Sequence, residues 1–422
     1  MEMLMLGMIA VCGLVALTNW RHAIFLVIIV DALRDPIRKL APAQPVWISQ
    51  AIILDWAVII GMCLSTNTRV LLGVRRVFPG LQQGSIFFIV GLLPGAALSL
   101  LLYRNGWILA GLGGLSYAGP LAGLFVGICF AERSRDVFKL MQLYVVLNSL
   151  VLSGSFAEYF GLDWPGLGGL LGHEWIRHMP GVLVHMVSGF FRSPDIAGFH
   201  AAHVVIFSIL LAVSRGKGKN INPQWLVLGL WAGAALFLAG RRKMFSISVV
   251  FLIVWVLADY LRKQQGSKNL LLFVGLVLVL VGGGGYFLVE KESNLAHHQI
   301  YLATTLYDVA PNLYDHAFSD SITTIEQSGV LGSGLGYATQ GAQYSGIDRT
   351  QAWQEDGVSR LFKEIGVVGV IFMVMAGVQF GKELRRAFRF QMMDSTRVLL
   401  QNGGVAIFMA NLACFAVSHQ HI

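Results

Sequence analysis

The chain has 422 residues, 55% of them hydrophobic and 13% charged, with a formal net charge of +8. Soluble domains carry roughly a quarter charged residues, so this composition excludes an ordinary soluble enzyme and points to an all-α, polytopic membrane protein. Most of the basic excess falls in short loops between apolar runs, which excludes a nucleic-acid footprint. The four cysteines lie in or beside such runs, which excludes a disulfide framework and a CxxC metal pattern.

Apolar windows predict spans near 2–18, 21–33, 46–66, 84–103, 107–131, 137–156, 198–214, 225–240, 244–260, 270–289, 366–381 and 399–418, about twelve in all. The 21–33 window is short for a crossing and reads as a re-entrant or tilted piece. Met1 to Asn19 lacks a basic n-region, so no cleavable signal peptide is expected. Lys and Arg in short loops set orientation. Five loops alternate consistently and are assigned to the cytoplasm. They are marked by Arg69 with Arg75 and Arg76, by Arg133, Arg135 and Lys139, by Arg215, Lys217 and Lys219, by Arg262, Lys263 and Lys268, and by Lys382 through Arg397. Arg34, Arg38 and Lys39 fit this scheme poorly.

The opposite side then receives two long segments. The resulting division is N-terminal transmembrane helices at 1–156, a first outer segment at 157–197, central helices at 198–289, a large outer loop at 290–365 and C-terminal helices at 366–422. In the first outer segment the stretch EWIRHMPGVLVHMVSGFF reads as an amphipathic helix lying in the interface. Next comes FFRSPDIAGFHAAH. Here Arg192 reads either as a loop cation paired with Asp195 or as one arm of an anion clamp. His200 and His203 read as helix-contact polar groups, because HxxH alone supplies two ligands and a metal site needs more.

Arg241, Arg242 and Lys243 separate two apolar runs with almost no loop. Charge beside hydrocarbon is costly and usually has a job. The three either snorkel as anchors or grip an anion, for which the planar guanidinium fork holds two phosphate oxygens at once. Gly282 to Gly285 interrupt a run and suggest a kink or close helix packing. His297 and His298 read as loop. GSGLGYATQG has the glycines of a phosphate loop but lacks its strand, helix and lysine, so it reads as a flexible turn. Glu355, Asp356, Arg360, Lys363 and Glu364 read as a solvated helix with pairs such as Asp356–Arg360, or as the source of a carboxylate base for a sugar hydroxyl.

From Arg192 to Val370 the chain resembles the O-antigen polymerase and O-antigen ligase superfamily of bacterial envelopes. Three pieces carry the resemblance. FRSPDIAGFHAAH is similar to the family's arginine-containing stretch before a span. LAGRRKM is similar to a helix end carrying Ser-Arg-Gly, with Arg242 in the arginine place and Arg241 in the serine place. GSGLGYATQG and EDGVSRLFKEIGVVG are similar to the Gly-x-Gly turn and the Glu-x-Gly helix that close a large periplasmic loop.

The resemblance implies a fold like the GT-C glycosyltransferases, with the large loop between spans ten and eleven. It implies metal-independent, inverting glycosyl transfer at the periplasmic face of the bacterial inner membrane, with no cofactor. The partners implied are an undecaprenyl-diphosphate-linked glycan, the lipid bilayer and a chain-length regulator. Arg192, Arg242 and Arg241, with Lys243, are the implied diphosphate grip, and Glu355 or Asp356 the base; Arg360, His200 and His203 are further site candidates. Ligases of the family carry a histidine nine residues before the glutamate of the last helix. That place is Glu355 here, which favours a polymerase over a ligase acting on lipid A core. The reading of another class is a solute transporter, which asks for polar residues at mid-membrane.

Overall fold

The computed structural model describes residues 1–48, 53–65, 77–179, 182–214, 222–261, 297, 319–339, 342, 356–389 and 394–417. The described elements are α1 (Glu2–Thr18), α2 (Trp20–Leu40), α3 (Ile53–Ser65), α4 (Pro79–Leu102), α5 (Gly106–Ala131), α6 (Ser134–Tyr159), β1 (Ile176–Met179), β2 (Val182–His185), α7 (Pro194–Val213), α8 (Pro223–Ala239), α9 (Arg242–Leu261), α10 (Asp320–Ser328), α11 (Gly357–Arg389) and α12 (Ser395–Val417).

Eight helical stretches among the described residues are long and apolar enough to cross a membrane, and α1 and α8 are shorter apolar helices. The count of twelve is therefore not reached here; the 270–289 window, Gly282–Gly285 and most of the 290–365 loop lie outside the described residues. Proline at the first or second position starts α4, α7 and α8, where its missing N–H costs nothing. Asn222 caps α8 by accepting the Gln224 N–H, and Gly240 ends that helix in the left-handed conformation at φ 63°.

Two sequence expectations are corrected. The 21–33 window is part of one continuous 21-residue helix, α2, which runs through Pro36 to Leu40. The stretch after Trp175 is not an interfacial helix: it pairs as an antiparallel hairpin, with Ile176 opposite His185 and Met179 opposite Val182. Its β-branched alternation and the Pro180–Gly181 signal explain the preference for strands. Val184 and Met186 are buried against Trp175.

The chain forms two compact units that do not follow consecutive blocks of sequence. Unit 1 comprises residues 1–65, 130–308 and 392–411; unit 2 comprises 66–129, 309–391 and 412–422. In unit 1, α7 is the most enclosed of the spans and packs on α8, α6 and α9. Arg21 at the start of α2 donates to the Phe130 carbonyl at 3.1 Å and pairs with Glu132 at 3.3 Å.

Unit 2 is built on the contact of α4 with α11. Small residues of α4 make the approach close: Gly84 faces Phe380, Gly91 faces Gly369 and Gly95 faces Ile365. Here the glycine-rich turn departs from expectation. It is not a flexible loop but a bonded plug. Ser333 donates its N–H to the Lys363 carbonyl at 2.6 Å, Leu335 to the Gly95 carbonyl at 2.8 Å, and Ser99 Oγ donates to the Leu335 carbonyl at 2.7 Å.

Glu364 closes this plug. Its Oε1 accepts the Ala338 N–H at 3.0 Å, the Thr339 hydroxyl at 3.0 Å and Arg360 Nε at 3.3 Å. Two residues on, Gly366 breaks α11 at φ 66°, ψ −177°, a conformation that is essentially glycine-only. A Cβ there collides with the backbone of Val330 and Leu331. Gly366→Ala is expected to destabilise unit 2 by about 3 kcal/mol or more, read as a lowered thermal midpoint of the detergent-solubilised protein. An unchanged midpoint contradicts the account.

Candidate functional site

The site in unit 1 begins with α2. Asp31, Arg34, Asp35, Arg38 and Lys39 recur at i, i+3, i+4, i+7 and i+8, so one face of an otherwise apolar helix is charged. Arg34 pairs with Asp31 at 2.9 Å and with Asp35 at 3.6 Å. Asp35 is buried, and its Oδ2 accepts the backbone N–H of Arg192 at 3.1 Å. Arg38 Nε donates to the Gln44 carbonyl at 3.1 Å.

Lys39 is buried at the end of this face and organises the segment before α7. Its Nζ donates to the carbonyls of Gly168 and Gly189. Glu158, at the end of α6, completes the arrangement: its Oε2 accepts the N–H groups of Gly168, Ser188 and Gly189. Burial pushes the Lys39 ammonium down to about 8, against the pull of Glu158 and Asp35. Glu158→Ala strips three backbone donors of their acceptor. About 2–4 kcal/mol of local stability is expected to go, with protease cleavage appearing within residues 160–190; a cleavage pattern like that of the parent contradicts this role.

These contacts hold Arg192 just before α7. Its side chain is half-buried, and its guanidinium has no carboxylate within ion-pair distance among the described residues. Its proton affinity is lowered, first by burial, against the pull of Asp35, and then by the neighbouring charges of Arg34 and Arg38. The expected Arg192–Asp195 pair is absent. Asp195 is instead taken by Arg241 at 2.7 Å and by Lys243 at 3.7 Å. Arg241 also lies over the Trp175 ring at 5.5 Å. Arg242 opens α9 and is half-buried beside them in sequence.

One end of unit 1 therefore gathers Arg34, Arg38, Lys39, Arg192, Arg241 and Lys243 against Asp31, Asp35, Glu158 and Asp195. Arg34 Nε and Arg241 Nε are buried donors without a hydrogen-bond partner. Such a set, with six cations against four carboxylates, is suited to a multivalent oxyanion. Of the residues singled out in the sequence, Arg192, Arg241 and Lys243 belong to this end. Arg34, Arg38, Lys39 and Glu158 were not named as site residues. Their signal was the 31/34/35/38/39 spacing, together with the misfit of three cations to the orientation rule.

The remaining candidates sit elsewhere. Glu355 lies outside the described residues. Asp356 is buried and its Oδ1 accepts the Ser359 N–H at 2.6 Å, capping the start of α11. Arg360 is 1% exposed. Its Nη2 donates to Thr339 Oγ1 at 2.8 Å and to Ser116 Oγ at 3.3 Å, so its donors are used inside unit 2. The solvated helix expected over these residues is in fact packed.

His203 Nδ1 donates to the Phe199 carbonyl at 2.9 Å and its Nε2 accepts from Asn411 at 3.3 Å. His200 stacks on Phe191 at 5.0 Å and meets the Tyr144 hydroxyl through Nδ1 at 2.8 Å. Both act as helix-contact groups. Compared with known proteins, the chain matches no family model and no curated protein.

Proposed function

We propose that this chain is a membrane glycosyltransferase that polymerises undecaprenyl-diphosphate-linked polysaccharide repeat units at the periplasmic face of the bacterial inner membrane. The observation that carries the reading is the convergence of Arg34, Arg38 and Arg192 at one end of unit 1, with Arg241 beside the same helix start. A diphosphate leaving group gathers negative charge as its bond to the sugar breaks. Guanidinium groups already in position stabilise that charge without reorganising, which is worth several kcal/mol. In this reading Arg192 and Arg34 face the diphosphate, Arg38 and Arg242 flank it, and Arg241 with Lys243 fixes Asp195 and hence the start of α7.

The same reading accounts for the three cations of α2 that contradict the positive-inside rule. Arg34 and Arg38 serve the substrate and Lys39 the segment before α7, and none of the three serves the topology. The transfer is a single displacement with inversion at the anomeric carbon. The acceptor is the hydroxyl of a second lipid-linked repeat, and a chain-length regulator is an expected partner.

The test is elongation by purified protein in nanodiscs, supplied with lipid-linked repeat units extracted from the producing cells. Conversion of single repeats to a ladder supports the reading. Transfer only when lipid A core is offered makes the chain a ligase. Uptake of solute into liposomes, with no glycan joined, makes it a transporter and removes the proposal.

A further inference from the structure

A cavity of about 230 Å³ lies between α2, α3 and α6 in unit 1. At about 30 Å³ per water it has room for roughly seven waters, which is the scale of one sugar ring and far more than a bare ion needs. Its polar lining is Asp31, Arg34, Asp55, Tyr144 and Asn148, and its apolar walls include Val27 and Leu54. The mixture suits a polyol: carboxylate and amide oxygens accept from hydroxyls, while aliphatic groups meet the C–H face.

Two observations go beyond a pair of neighbouring acids. Asn148 is 1% exposed, and its Nδ2 donates to the Tyr144 carbonyl at 3.0 Å, but its Oδ1 has no hydrogen-bond partner. Asn148 lines the cavity, and a buried amide oxygen without a partner calls for a donor. Asp31, meanwhile, is held by Arg34 at 2.9 Å, and Asp55 has no cation within ion-pair distance among the described residues. One carboxylate is neutralised and oriented; the other remains to accept a proton. Arg34 belongs both to this lining and to the guanidinium cluster around Arg192. The cavity is thus a direct neighbour of the anion site. Among the described residues no three His, Cys, Asp or Glu side chains assemble as metal ligands.

We infer that this cavity seats the acceptor sugar, and that Asp55 takes the proton from its attacking hydroxyl. The inference rests on the glycosyl-transfer reading and places acceptor chemistry on α3, away from the Glu355–Asp356 stretch. In the step, the acceptor oxygen forms a bond to the donor's anomeric carbon. The bond from that carbon to the diphosphate oxygen breaks, and its electron pair leaves with undecaprenyl diphosphate between the arginines. The hydroxyl proton passes to the Asp55 carboxylate and from there to solvent. Asp31 accepts a second hydroxyl and fixes the ring, and Asn148 Oδ1 accepts a third.

Two variants test this in the nanodisc elongation assay, with Arg192→Ala alongside. Asp55→Asn keeps the shape but cannot take a proton. It is expected to lower kcat about 100-fold or more, with the KM for the lipid-linked repeat little changed. Asn148→Leu removes the unpartnered amide oxygen from the lining. It is expected to raise KM at least tenfold while the thermal midpoint stays or rises, because an unsatisfied buried group is gone.

Wild-type elongation by both variants overturns the assignment. So does loss of activity accompanied by a lowered midpoint in both, which would make the residues structural. If Arg192→Ala is inactive while both cavity variants elongate normally, only the cavity assignment falls. If Arg192→Ala also elongates normally, the role of Arg192 falls too, and the glycosyl-transfer reading itself fails if the parent protein forms no ladder.

Discussion

Arg192→Ala is expected to reduce glycan elongation by about 10²–10³-fold, the usual effect of removing one preorganised donor from a developing charge. The protein should remain folded. Arg192 is held through its backbone N–H, which Asp35 accepts at 3.1 Å, and that bond survives the substitution. Burial is the largest influence on the lost guanidinium, ahead of Asp35, Arg34 and Arg38, so its removal relieves a desolvation cost and the thermal midpoint should hold or rise. Loss of function without loss of stability is the signature of a group placed for a ligand. Arg192→Lys keeps the charge but not the bidentate fork, and it should recover part of the rate. The checks are the chain-length ladder on a gel and a melting curve of the purified variant. A normal ladder, or inactivity explained by a collapsed midpoint, removes the role assigned to Arg192.

Glu364→Leu should have the largest effect on stability, about 3–5 kcal/mol. Glu364 is fully buried and Arg360 nearly so. The substitution leaves the Arg360 charge without its carboxylate in an apolar surrounding and also orphans the Ala338 N–H and the Thr339 hydroxyl. Glu364→Gln retains an acceptor oxygen and should cost less. The double variant Arg360→Met with Glu364→Leu should recover most of the loss, since apolar replacement of a whole buried pair is often close to neutral. Thermal unfolding of the three variants decides this. Equal destabilisation in the single and double variants contradicts a charge-based account.

The class of protein was legible in composition, and most of the span boundaries in the apolar windows. What was misread has identifiable physical causes. In α2, Pro36 and the charges from Asp31 to Lys39 hid a continuous helix, because a hydropathy window averages over a face that is charged on one side only. The hairpin after Trp175 was taken for a helix because its apolar spacing suits both periods; the Pro180–Gly181 pair was the discriminating signal. The glycine-rich turn looked mobile because its partners, Gly95 and Ser99, lie more than two hundred residues away in sequence. For the same reason the grouping of Arg34 and Arg38 with Arg192 was invisible, although each cation was plain.

The attachment of Lys39 and Glu158 to main-chain atoms alone has a consequence for variation. They recognise the main-chain carbonyl and amide groups of Gly168 and Gly189 and the amide of Ser188. Exposed side chains of the stretch between these glycines, such as Leu171 and Leu183, are therefore at liberty to diverge without shifting the guanidinium that follows, whereas Gly168 and Gly189, at φ 78° and 60°, and the buried Val184 and Met186 are not. Lys39 and Glu158 themselves have no such latitude. Sequence drift in relatives of this chain should accordingly concentrate in the hairpin and spare the two residues that anchor it.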